Sequence, residues 1–245
     1  MTSDRIDFIS AYCDRWCERC AFTMRCSTYA VHVATAMCDG DFKEALALAV
    51  GRPRSTQPKE EPEPEWRREL PDIEFTQAEL DETSRLEDER QERIEQAPLT
   101  TVASAVTDLA VAWLNAHRDQ LHEHATADVG NALDIISWDA YLIAAKIHRA
   151  LDGHDRSAHG EDYDDDPVQN DWNGSAKVAL ISIGRSAASW AVIAAATGDA
   201  EAARLAGELR DLGREVERVF PNAWKFIRPG FDSSPASGKK RRATG

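Results

Sequence analysis

From Val102 onward the apolar residues fall into four stripes, each at the three-and-four spacing of one helix face. The first is Val102, Val106, Leu109 and Trp113. The second is Val129, Leu133, Ile136, Ala140, Ile143 and Ile147. Ala176, Leu180, Ile183, Ala187 and Trp190 form the third, and Leu205, Leu209, Leu212, Val216 and Val219 the fourth. Residues so spaced share one face only if the backbone is α-helical, so the chain predicts amphipathic helices near 102–124, 128–151, 174–197 and 199–220. No period-two alternation competes with them. The joins at 125–127 and 197–199 are short, so those neighbours should pack antiparallel. The expected fold is all-α: an antiparallel four-helix bundle over 101–222 with a small N-terminal helical cysteine module over 1–50. A Pro/Glu-rich linker and charged helix fill 51–100, and a disordered, basic-ended tail runs over 223–245.

Composition supports this division. The 245 residues are 42% hydrophobic, enough for one sizeable core with a small appendage. GRPRSTQPKEEPEPEW carries Pro53, Pro58, Pro62 and Pro64 among charges, which excludes a regular helix. Thr76 followed by Glu79 is a capping-box signal opening a charged helix to about Gln96, solvated or loosely packed. The net charge of −14 repels nucleic acid and anionic membranes, so neither is an expected partner. Lys239–Lys240–Arg241–Arg242 is a local exception and reads as a solubilising end. The most apolar run, VALISIGRSAASWAVIAAA, contains Arg185 and reads as a buried helix rather than a membrane span. MTSDRIDFIS has no secretory apolar run. These features point to the cytoplasm, where thiols stay reduced and clustered cysteines bind metal more often than they form disulfides.

Such a cluster is present. CDRWCERCAFTMRC places Cys13, Cys17, Cys20 and Cys26 within fourteen residues, as C-x3-C-x2-C-x5-C. Helical spacing is expected on either side, over Asp4–Tyr12, Tyr29–Met37 and Phe42–Val50, with a break at Cys38–Asp39–Gly40–Asp41. The spacing departs from paired C-x2-C zinc knuckles. A 4Fe–4S cluster suits it better, because four irons offer separate corners to a short wrapping loop. Arg15, Arg19 and Arg25 could offset the negative charge of four thiolates and lower the thiol pKa values. Phe8, Tyr12, Trp16 and Phe22 could form an apolar shell. The candidate ligands are therefore Cys13, Cys17, Cys20 and Cys26, with zinc as the alternative metal. Cys38 reads as a buried helical cysteine.

Two families share parts of this pattern. Cys17-x2-Cys20-x5-Cys26 resembles the end of the iron–sulfur loop of helix-hairpin-helix DNA glycosylases, whose full spacing is C-x6-C-x2-C-x5-C. The first spacer here is three residues, and no glycine hairpin lies beside it. The resemblance implies a structural cluster on the four cysteines and does not imply glycosylase activity. Cys13-x3-Cys17-x2-Cys20 is similar to the radical-SAM triad, which follows the first strand of a β/α barrel. No strand precedes it here, Cys26 stands ready as a fourth ligand, and Arg19 takes a position usually held by an aromatic residue. DFISAYCDRWCERCAFTMRCSTYA is also similar to N-terminal segments of bacterial proteins of unassigned function.

Other residues invite weaker readings. In the loop 152–173, Asp162, Asp164 and Asp166 are spaced like calcium ligands. Pro167 and Asn173 occupy the positions where an EF-hand needs Gly and Glu. Asn173 is expected to cap the next helix. His117, His122 and His124 cluster near one helix end. Arg118–Asp119 with His124 resembles the R-D-x4-H pattern of HEPN ribonucleases, which implies Arg118 and His124 as catalytic residues; the acidic charge opposes an RNA substrate. No Glu-x-x-His pair supports a di-iron bundle. Lys146, Lys177 and Arg185 lie on apolar helices, where unpaired charge is costly. They read as a salt-bridge network between helices. With Asp134, Tyr141 and His148, Lys177 and Arg185 alternatively line a polar pocket for an anionic ligand. The expected function is a cytoplasmic, cluster-binding helical protein with a structural, redox-sensing or electron-transfer role toward a protein or small-molecule partner. The alternatives are a zinc-stabilised interaction module and an enzyme using the bundle pocket.

Overall fold

The computed structural model describes residues 4–50, 75–123, 125–160 and 166–232. Among these the chain is all-α, with seven α-helices, three single 3-10 turns and no strand. The expected linker prolines Pro53, Pro58, Pro62 and Pro64 lie outside the described residues, as do His124, Glu161, Asp162, Asp164, Asp165 and the basic Lys239–Arg242 run. The described residues divide into two compact units. One lies within Met1–Ser10 and Cys17–Glu89, the other within Ala11–Trp16 and Arg90–Gly245.

In the first unit, α1 (Ser27–Met37) packs on α2 (Phe42–Val50). The break between them is made by Asp39 and Gly40, both at positive φ. Gly adopts that conformation at no steric cost and Asp tolerates it. Residues 4–12, expected to be helical, form turns instead. Phe8 sits at φ +59, which stops helical propagation, and its ring is 77% exposed. Ile9, Ala34 and Ala45 are buried. α3 (Gln77–Glu95) opens with the expected capping box. The Thr76 N–H donates to Glu79 Oε2 (2.8 Å) and the Glu79 N–H to Thr76 Oγ1 (3.3 Å).

In the second unit, α4 (Pro98–Glu123), α5 (Ala127–Ala158), α6 (Asp171–Thr197) and α7 (Ala200–Val219) form a helical bundle. α4 packs on α5 and α7, and α6 packs on α5 and α7. The four stripes meet in one core: Leu133, Ile136, Ile147, Trp190, Ile193, Leu205, Leu209 and Leu212 are sealed from solvent. Trp113 meets Trp190 edge to face at 4.9 Å. α4 and α6 are long and apolar enough to cross a membrane by length and composition alone. More than half of the apolar window of α6 is buried inside the protein, as in a core helix. Side-chain caps set the helix starts. Thr126 accepts from the Val129 N–H, Asn170 from the Asn173 N–H, and Asp199 from the Ala202 N–H. Asn170 is thus the cap of α6, not Asn173. The Asn173 side chain instead donates to the carbonyls of Pro167 and Val168, tying the preceding loop down.

Two stretches expected to be irregular are built in. α5 continues past Leu151 for two further turns because Asp152 and Asp155 have cationic partners. Arg90 reaches Asp152 (3.2 Å), Arg93 reaches Asp155 (2.7 Å), and Arg156 reaches Asp152 one turn along α5 (3.0 Å). Arg90 and Ile94 are buried, so this end of α3 is firmly seated rather than solvated. The expected tail also begins later than residue 223. Ala223 and Phe226 are buried, and the Lys177 ammonium donates to the carbonyls of Phe226 (2.6 Å) and Trp224 (3.3 Å). Lys177 also pairs with Asp232 at 2.8 Å.

Asp232 carries a pH dependence. Burial works to raise its pKa, but hydrogen bonds from Arg228 and Lys177 outweigh that and hold the carboxyl at about 2. Its unfolded value is about 3.9. A depressed folded value contributes stability above the unfolded pKa and loses it as pH falls through the folded one. Urea unfolding of wild type should therefore weaken between pH 4 and 2 more steeply than that of Asp232→Asn. Equal slopes for the two proteins would show that this carboxylate does not hold the C-terminal segment.

Candidate functional site

The four clustered cysteines are shared between the two units: Cys17, Cys20 and Cys26 belong to the first, Cys13 to the second. In the first unit the loop is a pair of 3-10 turns, Cys17–Arg19 and Thr23–Arg25. The Cys20 N–H donates to the Cys17 carbonyl (3.2 Å), and the Cys26 N–H to that of Thr23 (3.2 Å). Backbone amides also reach two sulfurs. The Phe22 N–H donates to Cys20 Sγ at 3.4 Å. The Tyr29 N–H donates to Cys26 Sγ at 3.5 Å, which makes Cys26 the N-cap of α1. The loop is anchored by arginines. Arg5 donates to the carbonyls of Cys26 (3.1 Å) and Ala49 (2.9 Å). Arg25 donates to the Asp4 carbonyl (2.8 Å) and pairs with its carboxylate (3.0 Å). Arg25 is therefore engaged by Asp4, not set aside to balance thiolate charge. Among the described residues no three Cys, His, Asp or Glu side chains are gathered in a metal-holding group.

Cys13 lies on a short segment, Ala11–Trp16, that is neither helix nor strand. The Cys13 sulfur takes a backbone hydrogen bond from Arg15, whose φ is +60. Burial pushes the Cys13 thiol up. The Arg15 amide and the charges of Arg15 and Lys146 pull it back without reversing the direction. The expected lowering by arginine is therefore outweighed at Cys13, and metal binding there must displace a proton. The proposed apolar shell is not assembled as expected. Phe8 is exposed, Tyr12 packs on Phe226 (centroids 4.6 Å), and Trp16 stacks on Trp138 (5.3 Å, 13°). Cys38 is half-buried at the C-terminal cap of α1. Burial pushes its thiol up, helped by Glu44, Asp41 and Asp39.

Arg185 is the centre of charge in the second unit. Its guanidinium donates twice to Asp139, at 2.7 and 2.5 Å, and also to the Asp14 carboxylate. Asp139 is fully buried, and burial raises its carboxyl pKa against the pull of Arg185. Trp138 Nε1 donates to the Asp14 carbonyl at 2.8 Å, and Arg185 lies 5.7 Å over the Trp16 ring. Lys146 donates to the Ala11 carbonyl at 3.3 Å. The structure thus bears out a salt-bridge network, but with partners other than the polar residues first singled out. Asp134 lies 3.9 Å from His122, Tyr141 is 65% exposed, and Lys177 is taken by Asp232 and two carbonyls. Of that set, His148 lines a cavity of about 260 Å3 with Thr100, Ser104 and Ala144. His117 stacks on Trp113 (4.6 Å); of the HEPN-like pair Arg118 and His124, His124 lies outside the described residues.

Asp139 and Asp14 were missed in the sequence. Asp139 could have been found: it interrupts the buried stripe between Ile136 and Ile143, as Arg185 interrupts that of α6. Asp14, 171 residues from Arg185, gives no such signal. No protein-family model, curated protein or solved structure matches the chain. The likeness of Cys17, Cys20 and Cys26 to a glycosylase loop thus rests on spacing alone.

Removing Arg185 strands a fully buried carboxylate. Arg185→Met should cost about 3–5 kcal/mol in urea unfolding, and adding Asp139→Leu should restore most of it, because an apolar pair of similar volume needs no charge compensation. A single substitution costing under about 1 kcal/mol would contradict a structural role for this pair.

Proposed function

We propose that the chain binds a 4Fe–4S cluster through Cys13, Cys17, Cys20 and Cys26, in a reducing, cytoplasmic setting. Four protein thiolates close the cluster to substrate, so its role is structural, redox-sensing or electron-transferring rather than Lewis-acid catalysis. The observation that carries this reading is the pair of backbone amides directed at sulfur, from Phe22 to Cys20 and from Tyr29 to Cys26. Amide hydrogen bonds to sulfur stabilise the thiolate form and tune cluster potential. Cys26 adds the N-terminus of an eleven-residue helix, whose dipole also favours negative sulfur. The donor set is all sulfur, which suits iron–sulfur clusters and zinc and disfavours calcium or magnesium. Two 3-10 turns, Cys17–Arg19 and Thr23–Arg25, carry the chain from Cys17 to Cys26.

Protein prepared without oxygen should show a broad visible absorption band with about four iron and four sulfide per chain. Cys20→Ala and Cys26→Ala should each lose most of the iron, and Cys38→Ala should lose none. Colourless protein holding one zinc would replace the cluster with a structural clip. Metal-free protein, or iron retained in both single variants, would overturn the four-thiolate site.

A further inference from the structure

We propose that the face of α5 and α6 bearing Trp138, Lys146, Gly174 and Arg185 is a peptide-recognition groove, occupied in cis by the chain's own Ala11–Trp16. The partner it fits is a bent segment reading aromatic–x–acidic–x–aromatic, turned as Ala11–Trp16 is by Arg15 at φ +60. Tyr12, Asp14 and Trp16 supply that order, and each has its own receptor. The Tyr12 ring enters a space that exists because residue 174 lacks a Cβ: one built there would lie 2.4 Å from the ring and 2.8 Å from Phe226. The Asp14 carboxylate meets Arg185, which the buried Asp139 holds in place. Trp16 stacks on Trp138 beneath the Arg185 guanidinium. Two backbone carbonyls are read as well, Asp14 by Trp138 Nε1 and Ala11 by Lys146. The occupant is also a visitor: the residues on both sides of it, up to Ser10 and from Cys17, belong to the other unit. The receptor residues Trp138, Lys146, Gly174 and Arg185 include no thiol, and the probe peptide carries none.

The test uses the full chain carrying Tyr12→Ala, Asp14→Ala and Trp16→Ala, which empties the groove. The probe is a labelled peptide of residues 10–17 with Cys13→Ser and Cys17→Ser. It should bind this variant saturably and at least about 10-fold tighter than wild type, where the tethered segment competes at high effective concentration. Adding Gly174→Ala to the variant should abolish binding, and so should Asp14→Asn in the peptide. No saturable binding to a cooperatively melting variant overturns the proposal, as does binding indifferent to Gly174→Ala. If the triple variant does not fold, the single variant Gly174→Ala decides. Alanine is the better helix former there, and by expelling Tyr12 it should speed tryptic cleavage after Arg15 at least about 10-fold. Cleavage at the wild-type rate overturns the groove.

Discussion

A guanidinium on an apolar helix must find carboxylate partners or leave the core, and Arg185 finds two. α6 is mostly lined with Ala, Ser, Ile and Trp, and the Arg185 side chain keeps 27% of its surface in solvent. Asp139 on α5 meets it with both oxygens and is itself cut off from solvent. Asp139 would not be tolerated there alone, because an unpaired buried charge costs several kcal/mol. The second carboxylate, Asp14, is the consequential one. It comes from the far end of the chain and brings Tyr12, Cys13 and Trp16 with it. The bundle therefore does more than bury four stripes: its Arg185–Asp139 pair positions a segment that carries a candidate ligand.

That arrangement gives the cysteines two environments. Cys20 and Cys26 accept amide hydrogen bonds in a loop of 3-10 turns, and Cys26 also heads a helix. Cys13 is half-buried on a segment fixed by ion pairing and aromatic stacking, with Lys146 acting on its charge. The thiols thus differ in their partners rather than in burial, all four being half-buried.

What the sequence made legible follows from where its information is local. Helical stripes are written at spacings of three and four, and all four bundle helices start, and three of them end, within a few residues of the expected positions. The Thr76–Glu79 capping box is equally local and is realised as both hydrogen bonds. The misses are long-range. α5 outlasts its apolar stripe because Arg90 and Arg93, more than sixty residues upstream, hold Asp152 and Asp155. Phe226 sits in a polar-looking tail and is buried because Gly174 leaves room beside it for Tyr12. Asn170 and Asn173 are equally good caps by type; the loop carbonyls of Pro167 and Val168 decide between them. The cysteine spacing was legible as a motif, whereas the division of its members between two units was not.

The measurement that tests this account most directly is a double-mutant cycle between Asp14 and Arg185 in the full chain, using Asp14→Asn, Arg185→Met and the double variant in urea unfolding. If Arg185 fixes the Cys13 segment to the bundle, the two losses will fall short of additivity by about 1–3 kcal/mol. Losses that add to within about 0.3 kcal/mol would mean that Asp14 and Arg185 do not hold each other, and the segment would have to be placed by something else.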